Sequence, residues 1–571
     1  MDPPRQGIQG TLSLVEALEL PHPAAALLRA FILDALDCDL AADYVRSRIG
    51  SREEAHRLVS DWIFIVQAIS SNGVELEAPD KTAVREIVQR DGNVCCVSGM
   101  RGTFRNPLIV APILPLPADW LKDQHRSVPI LSAFFGGPYL DWWLSTIDTP
   151  QFISAQSSHW LVRQTVAGAL KCGQIRLDRI RSSMVEYRVH PVSITLTDPI
   201  QLKGSMALLG DHSRAGIDKV DPRFVGTHAR LCKSVQLVNL IKTMAPELHE
   251  RNHDLLPTAP AATTAPLGCV ISRQRPFSLA RLFSRPLFFI WRLIPQALRF
   301  SAYKKLMRFG NYWYGTTGAS GIVTKLPFGL FLKYSANIEC VRNEFNALDV
   351  VGKNTGVPVP RGLDFASKWI KGNSELLPQG YYRSYMLTSE LPGAALSLCM
   401  DAISDADYQR IQLQLQAYVS QIRDIPQTVN PDFVICDSRG EACRDPRIGD
   451  FTPIGPFKDE AAFSQELRFP DEPSRRGHKI VFTHADLNPR NIIVNQVKDA
   501  PGTLHWEVSG IVDWEAAGYY PEYWDCTKSM FEGFRWPRRH NDTMKRVFAK
   551  FGDYSAELEL ETKAWESGDG V

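Results

Sequence analysis

The chain has 571 residues, enough for two or three domains of ordinary size. Its 64 Lys and Arg residues against 63 Asp and Glu residues leave a net charge of +1, which gives no argument for nucleic-acid binding. The longest apolar run, residues 286–295, is interrupted by Arg292 and falls short of the roughly 20 residues that span a bilayer. Length and composition therefore indicate an ordinary globular protein.

The 11 cysteines stand mostly singly in apolar surroundings, as Cys232, Cys340 and Cys399 do. The opening residues, Met1-Asp2-Pro3-Pro4, are not those of a signal peptide. We therefore expect a reducing, cytoplasmic setting rather than a disulfide framework.

Residues 20–70 have the pattern of amphipathic helices. Apolar side chains recur at helical spacing from Leu27 to Leu36, and the same period runs from Glu53 to Ile69 after a Ser51 cap. This pattern predicts helices packed on a core and implies no activity. The aromatic stretch 130–144 predicts further core packing, and a loop over 208–227 and a helix over 231–248 close this part of the chain.

Residues 90–99, Arg-Asp-Gly-Asn-Val-Cys-Cys-Val-Ser-Gly, resemble the opening of fungal HNH-nuclease-like domains. In that family an Ala-His-Ile-x-Pro segment follows, whose His is the general base. Here the corresponding segment is 111–115, and Pro112 stands at the His position. Because a proline side chain can neither take a proton nor bind a metal, the resemblance implies a degenerate, mixed α/β HNH-like domain over residues 1–254 without nuclease activity. An unrelated fold stays an alternative, as does replacement of the base by His125, His159 or His190.

Residues 255–275 form a Pro/Ala/Thr-rich stretch that predicts a linker. Residues 276–309 then predict a basic helical extension. No Asp or Glu occurs from Leu255 to Ile338, whereas Arg and Lys accumulate. One interpretation is a helix packed on the following domain, and the alternative is an amphipathic helix on an anionic membrane surface.

The last part of the chain carries the clearest chemistry. Apolar strands are predicted over 480–483, 491–494 and 504–512, and a polar loop containing His484, Asp486 and Asn491 lies between the first two. A turn at 499–502 would bring Asp513, at the end of the third, back beside Asp486 and Asn491. Phosphoryl transfer needs a carboxylate near the acceptor hydroxyl and oxygen ligands for Mg²⁺. Asp486 fits the base, and Asn491 and Asp513 fit the metal ligands.

Upstream, a buried Lys is rare without a charged partner. Lys333 ends an apolar β-run, and Glu344 in the following predicted helix fits that partner. The glycine-rich stretch 315–321 before this run would suit a loop over phosphates, although a plain turn fits as well.

The pattern His484-x-Asp486-x4-Asn491, followed by Ile-Val-Asp513-Trp-Glu, resembles the catalytic loop and metal-binding segment of the aminoglycoside phosphotransferase and choline kinase group, relatives of protein kinases. The run 521–525 is similar to fungal members. The resemblance covers residues 310–571 and implies an α+β, two-lobed protein-kinase-like fold.

This resemblance also implies roles for particular residues. His484, Asp486 and Asn491 would be catalytic, and Lys333, supported by Glu344, would bind the α/β-phosphates of ATP. The stretch 385–393 matches the strand and hinge of the group, so the backbone of Ser389 and Leu391 would hydrogen-bond adenine.

The predicted function is ATP- and Mg²⁺-dependent transfer of the γ-phosphoryl group to a hydroxyl of a small molecule. Two alternatives stay open: a catalytically silent nucleotide-binding scaffold, which an intact set of Lys333, Asp486, Asn491 and Asp513 argues against, and a nuclease, which Pro112 argues against. The sequence leaves the acceptor and the oligomeric state open.

Overall fold

The computed structural model describes residues 6–70, 78–104, 106–114, 127–148, 153–180, 183–191, 204–244, 290–314, 322–371, 380–448, 452–498, 504–531 and 533–566. The chain divides into two compact units, Met1–Cys269 and Val270–Val571. The division falls inside the predicted linker 255–275. That linker lies outside the described residues, together with residues 276–289, His125, the glycine-rich stretch 315–321 and the turn 499–502.

The N-terminal unit combines helices with two small antiparallel sheets. Its helices are α1 Gln6–Ala17, α2 Ala24–Asp34, α3 Cys38–Arg48, α4 Arg52–Ser70, α5 Lys81–Arg90, α6 Ser127–Phe135, α7 Gly137–Asp148, α8 Ala155–Ser158, α9 Gln164–Lys171 and α10 Pro222–Met244. Its strands are β1 Leu108–Pro112, β2 His159–Arg163, β3 Ile175–Arg179, β4 Glu186–Pro191 and β5 Met206–Leu208.

The predicted helices of residues 20–70 are present, and Ser51 accepts a hydrogen bond from the Glu54 amide at 3.2 Å, as a cap does. One predicted boundary is wrong. The closing helix α10 begins at Pro222 rather than near residue 231, so the predicted loop 208–227 is shorter. The reason is local: Asp221 accepts a hydrogen bond from the Arg223 amide at 2.8 Å, and proline suits the first helical turn.

Residues of the stretch that resembles an HNH opening form buried contacts in this unit. Arg90 and Asp91 form a buried ion pair at 2.7 Å, and Asp91 accepts the Leu161 amide of β2 at 2.8 Å. Strands β1 and β2 pair antiparallel, with Pro112 opposite the buried His159. In the described residues of this unit, no group of three His, Cys, Asp or Glu side chains is close enough to hold a metal ion. The HNH-like domain stays a prediction.

The C-terminal unit has a small β-rich lobe and a larger helical lobe, which confirms the predicted α+β, two-lobed fold. Its helices are α11 Gln296–Tyr314, α12 Ile338–Asn354, α13 Leu396–Cys399, α14 Asp405–Arg423, α15 Glu460–Ser464, α16 Trp524–Phe531, α17 Arg538–Phe548 and α18 Ser555–Glu566. Its strands are β6 Val323–Leu326, β7 Leu330–Ser335, β8 Gly362–Ile370, β9 Tyr381–Ser389, β10 Ala394–Ala395, β11 Cys436–Asp437, β12 Ile480–Thr483, β13 Ile492–Lys498, β14 Leu504–Ile511 and β15 Gly518–Pro521.

The small lobe is an antiparallel sheet in the order β6-β7-β9-β8. Helix α11 packs on this sheet through the buried Phe300 and Tyr303, and α12 packs on β8 and β9. In the helical lobe, the hairpin β13-β14 carries the predicted strands after the polar loop, and β12 pairs with β15.

The described part of the basic segment packs on this lobe, as the first interpretation expects. Arg299 forms an ion pair with Asp364 of β8, and the Tyr303 hydroxyl donates to the same carboxylate at 2.5 Å. Arg292 donates to the Leu363 carbonyl at 2.6 Å. None of the described helices is both long and apolar enough to cross a bilayer.

His478, just before β12, connects that strand to two helices. Its Nδ1 lies 2.6 Å from a carboxylate oxygen of Glu460 in α15, and its Nε2 lies 3.3 Å from one of Glu557 in α18. Burial alone would lower the pKa of His478, but the hydrogen bonds to Glu460 and Glu557 raise it to about 9.

Because the folded-state pKa of His478 is raised, its stabilising contribution is complete below the unfolded pKa and is lost as the pH rises through about 9. We expect His478→Gln to lower the free energy of unfolding by about 1 to 2 kcal/mol more at pH 7 than at pH 9.5, allowing for solvent screening. Urea unfolding at both pH values measures this.

His540→Gln is the control for that experiment. Burial lowers the pKa of His540 to about 4, so the side chain is neutral across the same pH range. Its removal should change stability equally at both values. A destabilisation by His478→Gln that is independent of pH would contradict the ionic role of His478.

Candidate functional site

Lys333 of β7 is the centre of a buried charge cluster. Its Nζ lies 2.7 Å from Glu344 and 3.0 Å from Glu515, and it is also paired with Asp513. Burial disfavours a charged lysine, but Asp513, Glu344 and Glu515 outweigh it and raise the pKa of Lys333 well above its ordinary value. The predicted Lys333–Glu344 pair is therefore present, with two further carboxylates joined to it.

Helix α12 places Glu344 in this cluster. The helix begins after Asn337, whose side chain accepts the amides of Glu339 and Cys340. Asn343, the residue before Glu344, donates to the carbonyls of Glu515 and Ala517 at 3.0 and 2.8 Å. These bonds hold α12 against the segment that follows Asp513. Burial raises the pKa of Glu344, while the Lys333 ammonium acts in the opposite direction.

Asp525 of α16 holds the polar loop after β12 through hydrogen bonds to its backbone. The Asp525 carboxylate accepts the amides of His484 at 3.3 Å and Ala485 at 2.7 Å. Ala485 and Asp513 have φ angles of 61° and 66°, a left-handed conformation that is strained for residues with a Cβ. The two hydrogen bonds to Asp525 compensate that strain at Ala485.

His484 orients the loop from a buried position. The Asp486 amide donates to its Nδ1 at 3.2 Å, so the proton resides on Nε2 and is donated to the Val512 carbonyl at 2.9 Å. Its ring packs against Trp514, with centroids 4.5 Å apart. His484 is buried, with 1% exposure, and its predicted catalytic role stays a prediction.

Asp486 is fixed by side chains on both sides. Asn491 donates through Nδ2 to the carbonyl and to Oδ2 of Asp486, each at 2.9 Å, and Asn488 donates to Oδ1 at 3.0 Å. The buried Lys528 of α16 lies 3.4 Å from the same Oδ1. Burial raises the pKa of Asp486, and the Lys528 ammonium opposes that rise. The arrangement presents an oriented carboxylate beside a cation.

The hairpin brings the predicted metal ligands to the same place. The Val512 amide donates to the Asn491 carbonyl at 2.9 Å, which sets Asp513 next to the polar loop. Carboxylate oxygens of Glu344, Asp513 and Glu515 lie within 4.8 Å of one another, and the Asn491 amide nitrogen donates to Asp486. Carboxylate and amide oxygens are suitable ligands for Mg²⁺. The carboxylates of Asp513 and Glu515 are of the chemical type that Mg²⁺ accepts, and the roles of Asn491 and Asp513 as its ligands stay a prediction.

Of the two predicted adenine contacts of the hinge, that of Leu391 stays a prediction, and that of Ser389 is limited by bonds within the sheet. The Ser389 amide donates to the Arg361 carbonyl at 3.1 Å, and the Ser389 hydroxyl accepts the Arg361 amide at 2.9 Å. Ser389 therefore uses its own N–H within the sheet. Leu391 packs over Gly510 of β14 so closely that a Cβ there would overlap its side chain. Any contact from Ser389 to adenine stays a prediction, restricted to its carbonyl.

Three residues of the site were missed by the sequence reasoning. Glu515 joins the Lys333 cluster, Asp525 holds the loop amides, and Lys528 pairs with Asp486. Asp525 and Lys528 share one face of α16 at a spacing of three residues, which places charged groups on a helix that is otherwise buried. A buried helix start with two charges was the available signal.

Replacing Lys333 tests the charge cluster. Lys333→Met leaves three acidic side chains without their cation, so we expect the free energy of unfolding to fall by about 2 to 4 kcal/mol. Urea unfolding at neutral pH measures the change.

The matched control is Lys325→Met, because Lys325 lies in the same sheet and pairs with Glu390 at 2.7 Å while both side chains are about a third exposed. An exposed pair contributes less than about 1 kcal/mol. Equal losses for both variants would contradict a special role of Lys333.

The C-terminal region is similar to known proteins. Residues 308–558 match the phosphotransferase enzyme family, APH. A search of the curated proteins found no match.

Similar solved structures include three phosphotransferases. One is a thermostable mutant of aminoglycoside phosphotransferase APH(4)-Ia, with 12% identity, a TM-score of 0.28, and coverage of 42% of this chain and 77% of that one. Another is wild-type aminoglycoside 2'-phosphotransferase-IIIa with GDP, with 15% identity, a TM-score of 0.28, and coverage of 46% and 84%. The third is amicoumacin kinase hAmiN, with 12% identity, a TM-score of 0.26, and coverage of 41% and 69%. The match of residues 308–558 to the family model confirms the predicted resemblance of this region to phosphotransferases.

Proposed function

We propose that the C-terminal unit transfers the γ-phosphoryl group of ATP to a hydroxyl group of a small molecule, in a Mg²⁺-dependent reaction. The observation that carries this proposal is the oriented Asp486 carboxylate, held by Asn491 and Lys528, next to Asp513 of the Lys333 cluster. Phosphoryl transfer depends mainly on such positioning and on charge neutralisation.

Asp486 is the proposed general base. It accepts the proton of the acceptor hydroxyl while the acceptor oxygen forms a bond to the γ-phosphorus and the bond to the β-phosphate oxygen breaks, leaving ADP. The Asn491 and Asn488 amides fix the direction of its carboxylate. Lys528 opposes the rise in the pKa of Asp486 that burial causes, which keeps the carboxylate available as a proton acceptor.

Asn491 and Asp513 are the proposed metal ligands, with Glu515 near enough to assist. When bound, Mg²⁺ would neutralise negative charge on the transferred phosphoryl group and its leaving oxygen. The charge cluster would attract a further cation, because the three carboxylates of Glu344, Asp513 and Glu515 are paired with the single ammonium group of Lys333. Lys333 would bind the α/β-phosphates while Glu344 holds it in place.

The catalytically silent alternative has less support. A domain that only bound a partner would need neither the pairing of Lys333 with Asp513 nor the orientation of Asp486 by Asn491. Buried carboxylates with raised pKa values and specific cationic partners are typical of reactive sites, and Asp486 and Glu515 are both of this kind.

Turnover is tested by incubating the full chain with ATP and Mg²⁺ against a panel of hydroxyl compounds, including aminoglycosides, choline-like amines and sugars, and detecting both ADP and the phosphorylated product. We expect Asp486→Asn to lower kcat by about 10²- to 10⁴-fold with little change in KM for ATP, because the amide cannot accept the proton.

Asp432→Asn is the matched control, since Asp432 is an exposed aspartate of the same unit. It should leave kcat unchanged. Product formation that survives Asp486→Asn at the wild-type rate would exclude Asp486 as the base, and ATP binding with no product from any compound would favour the silent alternative.

A further inference from the structure

Helix α11 is fixed on the small lobe by one side only. Phe300 and Tyr303 are buried against the sheet, and a Cβ at Gly310 would overlap Thr324 of β6. The Arg299–Asp364 ion pair is on the same side. The orientation of the helix about its axis is therefore set, and so is the side that it turns to solvent.

That solvent side is unusually apolar. We define the α11 outer face as Leu298, Lys305, Phe309, Tyr312 and Trp313, which recur at intervals of one to seven residues that keep them on one side of a helix. Leu298 is 61% exposed, Phe309 45%, Tyr312 84% and Trp313 56%. Large apolar side chains exposed singly need no explanation, but a group of them on one helix face indicates an interaction site.

Two further observations extend this surface. The rings of Phe309 and Trp313 stack, with centroids 5.9 Å apart and an interplanar angle of 10°, so the two side chains form one aromatic pair. In the helical turn before α11, Ile290 and Leu293 are 59% and 69% exposed. Two more large apolar side chains are therefore exposed just before the helix begins.

The exposed charged residues of α11 on or beside the outer face are all basic. Lys304, Lys305 and Arg308 are exposed on or beside it. No Asp or Glu occurs between Leu255 and Ile338, although the whole chain has a net charge of only +1. The basic character is therefore a property of this segment and not of the overall composition.

We propose that the α11 outer face docks the protein on an anionic lipid surface. Tyr and Trp prefer the headgroup region of a bilayer, and flanking Lys and Arg side chains attract anionic headgroups. The chemistry is that of a helix lying in the interface with its apolar side inserted. The other side of α11, which contacts β6 and β8, stays on the protein.

A second copy of the chain fits this face less well. A two-fold contact would place Lys304, Lys305 and Arg308 of one copy against the same residues of the other, and like charges would repel. Interfaces between proteins are also depleted in lysine at their centres, where Lys305 lies here. An anionic membrane satisfies both the aromatic and the basic residues.

The test is co-sedimentation of the full chain with vesicles of phosphatidylcholine alone or with about 30% phosphatidylserine, at low and physiological salt. We expect binding only to the anionic vesicles, weakened by salt. Each basic residue near an anionic surface changes membrane binding by about fivefold, so Lys304→Glu/Lys305→Glu/Arg308→Glu should weaken vesicle binding by at least about 100-fold. Phe309→Ser/Trp313→Ser should abolish vesicle binding. Because the changed side chains face solvent, both variants should unfold at the same temperature as the wild type.

The matched control reverses three exposed basic residues elsewhere on the same unit, Arg410→Glu/Lys545→Glu/Lys550→Glu. It should retain vesicle binding. The proposal is overturned if the wild type binds neither vesicle, if the control weakens binding as much as the α11 variant, or if light scattering shows a dimer that Phe309→Ser/Trp313→Ser dissociates in the absence of lipid.

Discussion

The C-terminal unit depends on the ion pairs that the ammonium group of Lys333 forms. Three carboxylates from two parts of the chain converge on it, one from α12 and two from the segment after β14. Buried like charges repel strongly without a cation between them. Lys333 therefore joins the small lobe to the segment of the helical lobe that carries Asp513 and Glu515.

Around that centre, buried polar residues hold the loop by its backbone. Asp525 accepts loop amides, His484 links the loop to Val512, and Asn343 holds the carbonyls after Asp513. These bonds fix the backbone of the loop, and Asn488 and Asn491 fix the carboxylate of Asp486. In the N-terminal unit a similar set of bonds joins α5 to β2, because Asp91 pairs with Arg90 and accepts the amide of Leu161. Arg90 and Asp91 therefore contribute to the fold of that unit.

The sequence was most informative where the contacts are local. Strand, polar loop and hairpin over 480–512 follow from apolar runs interrupted by polar residues, and a lysine at the end of an apolar strand needed a partner such as Glu344. Contacts between segments that are distant in the chain could not be predicted from the sequence. Lys528 meets Asp486 only because α16 packs under the loop. Ser389 gives its amide to Arg361 because β8 and β9 pair through an irregular register near Gly362, which no spacing rule predicts.

The central claim is that Asp513 and its neighbours bind a Mg²⁺-nucleotide complex. The most direct measurement is calorimetric titration of the full chain with a non-hydrolysable ATP analogue, with Mg²⁺ and with chelator, for the wild type, Asp513→Asn and the exposed control Asp471→Asn. The account predicts Mg²⁺-dependent binding that Asp513→Asn weakens by at least about tenfold and Asp471→Asn leaves intact. Absence of binding, or binding indifferent to both Mg²⁺ and Asp513→Asn, would contradict it.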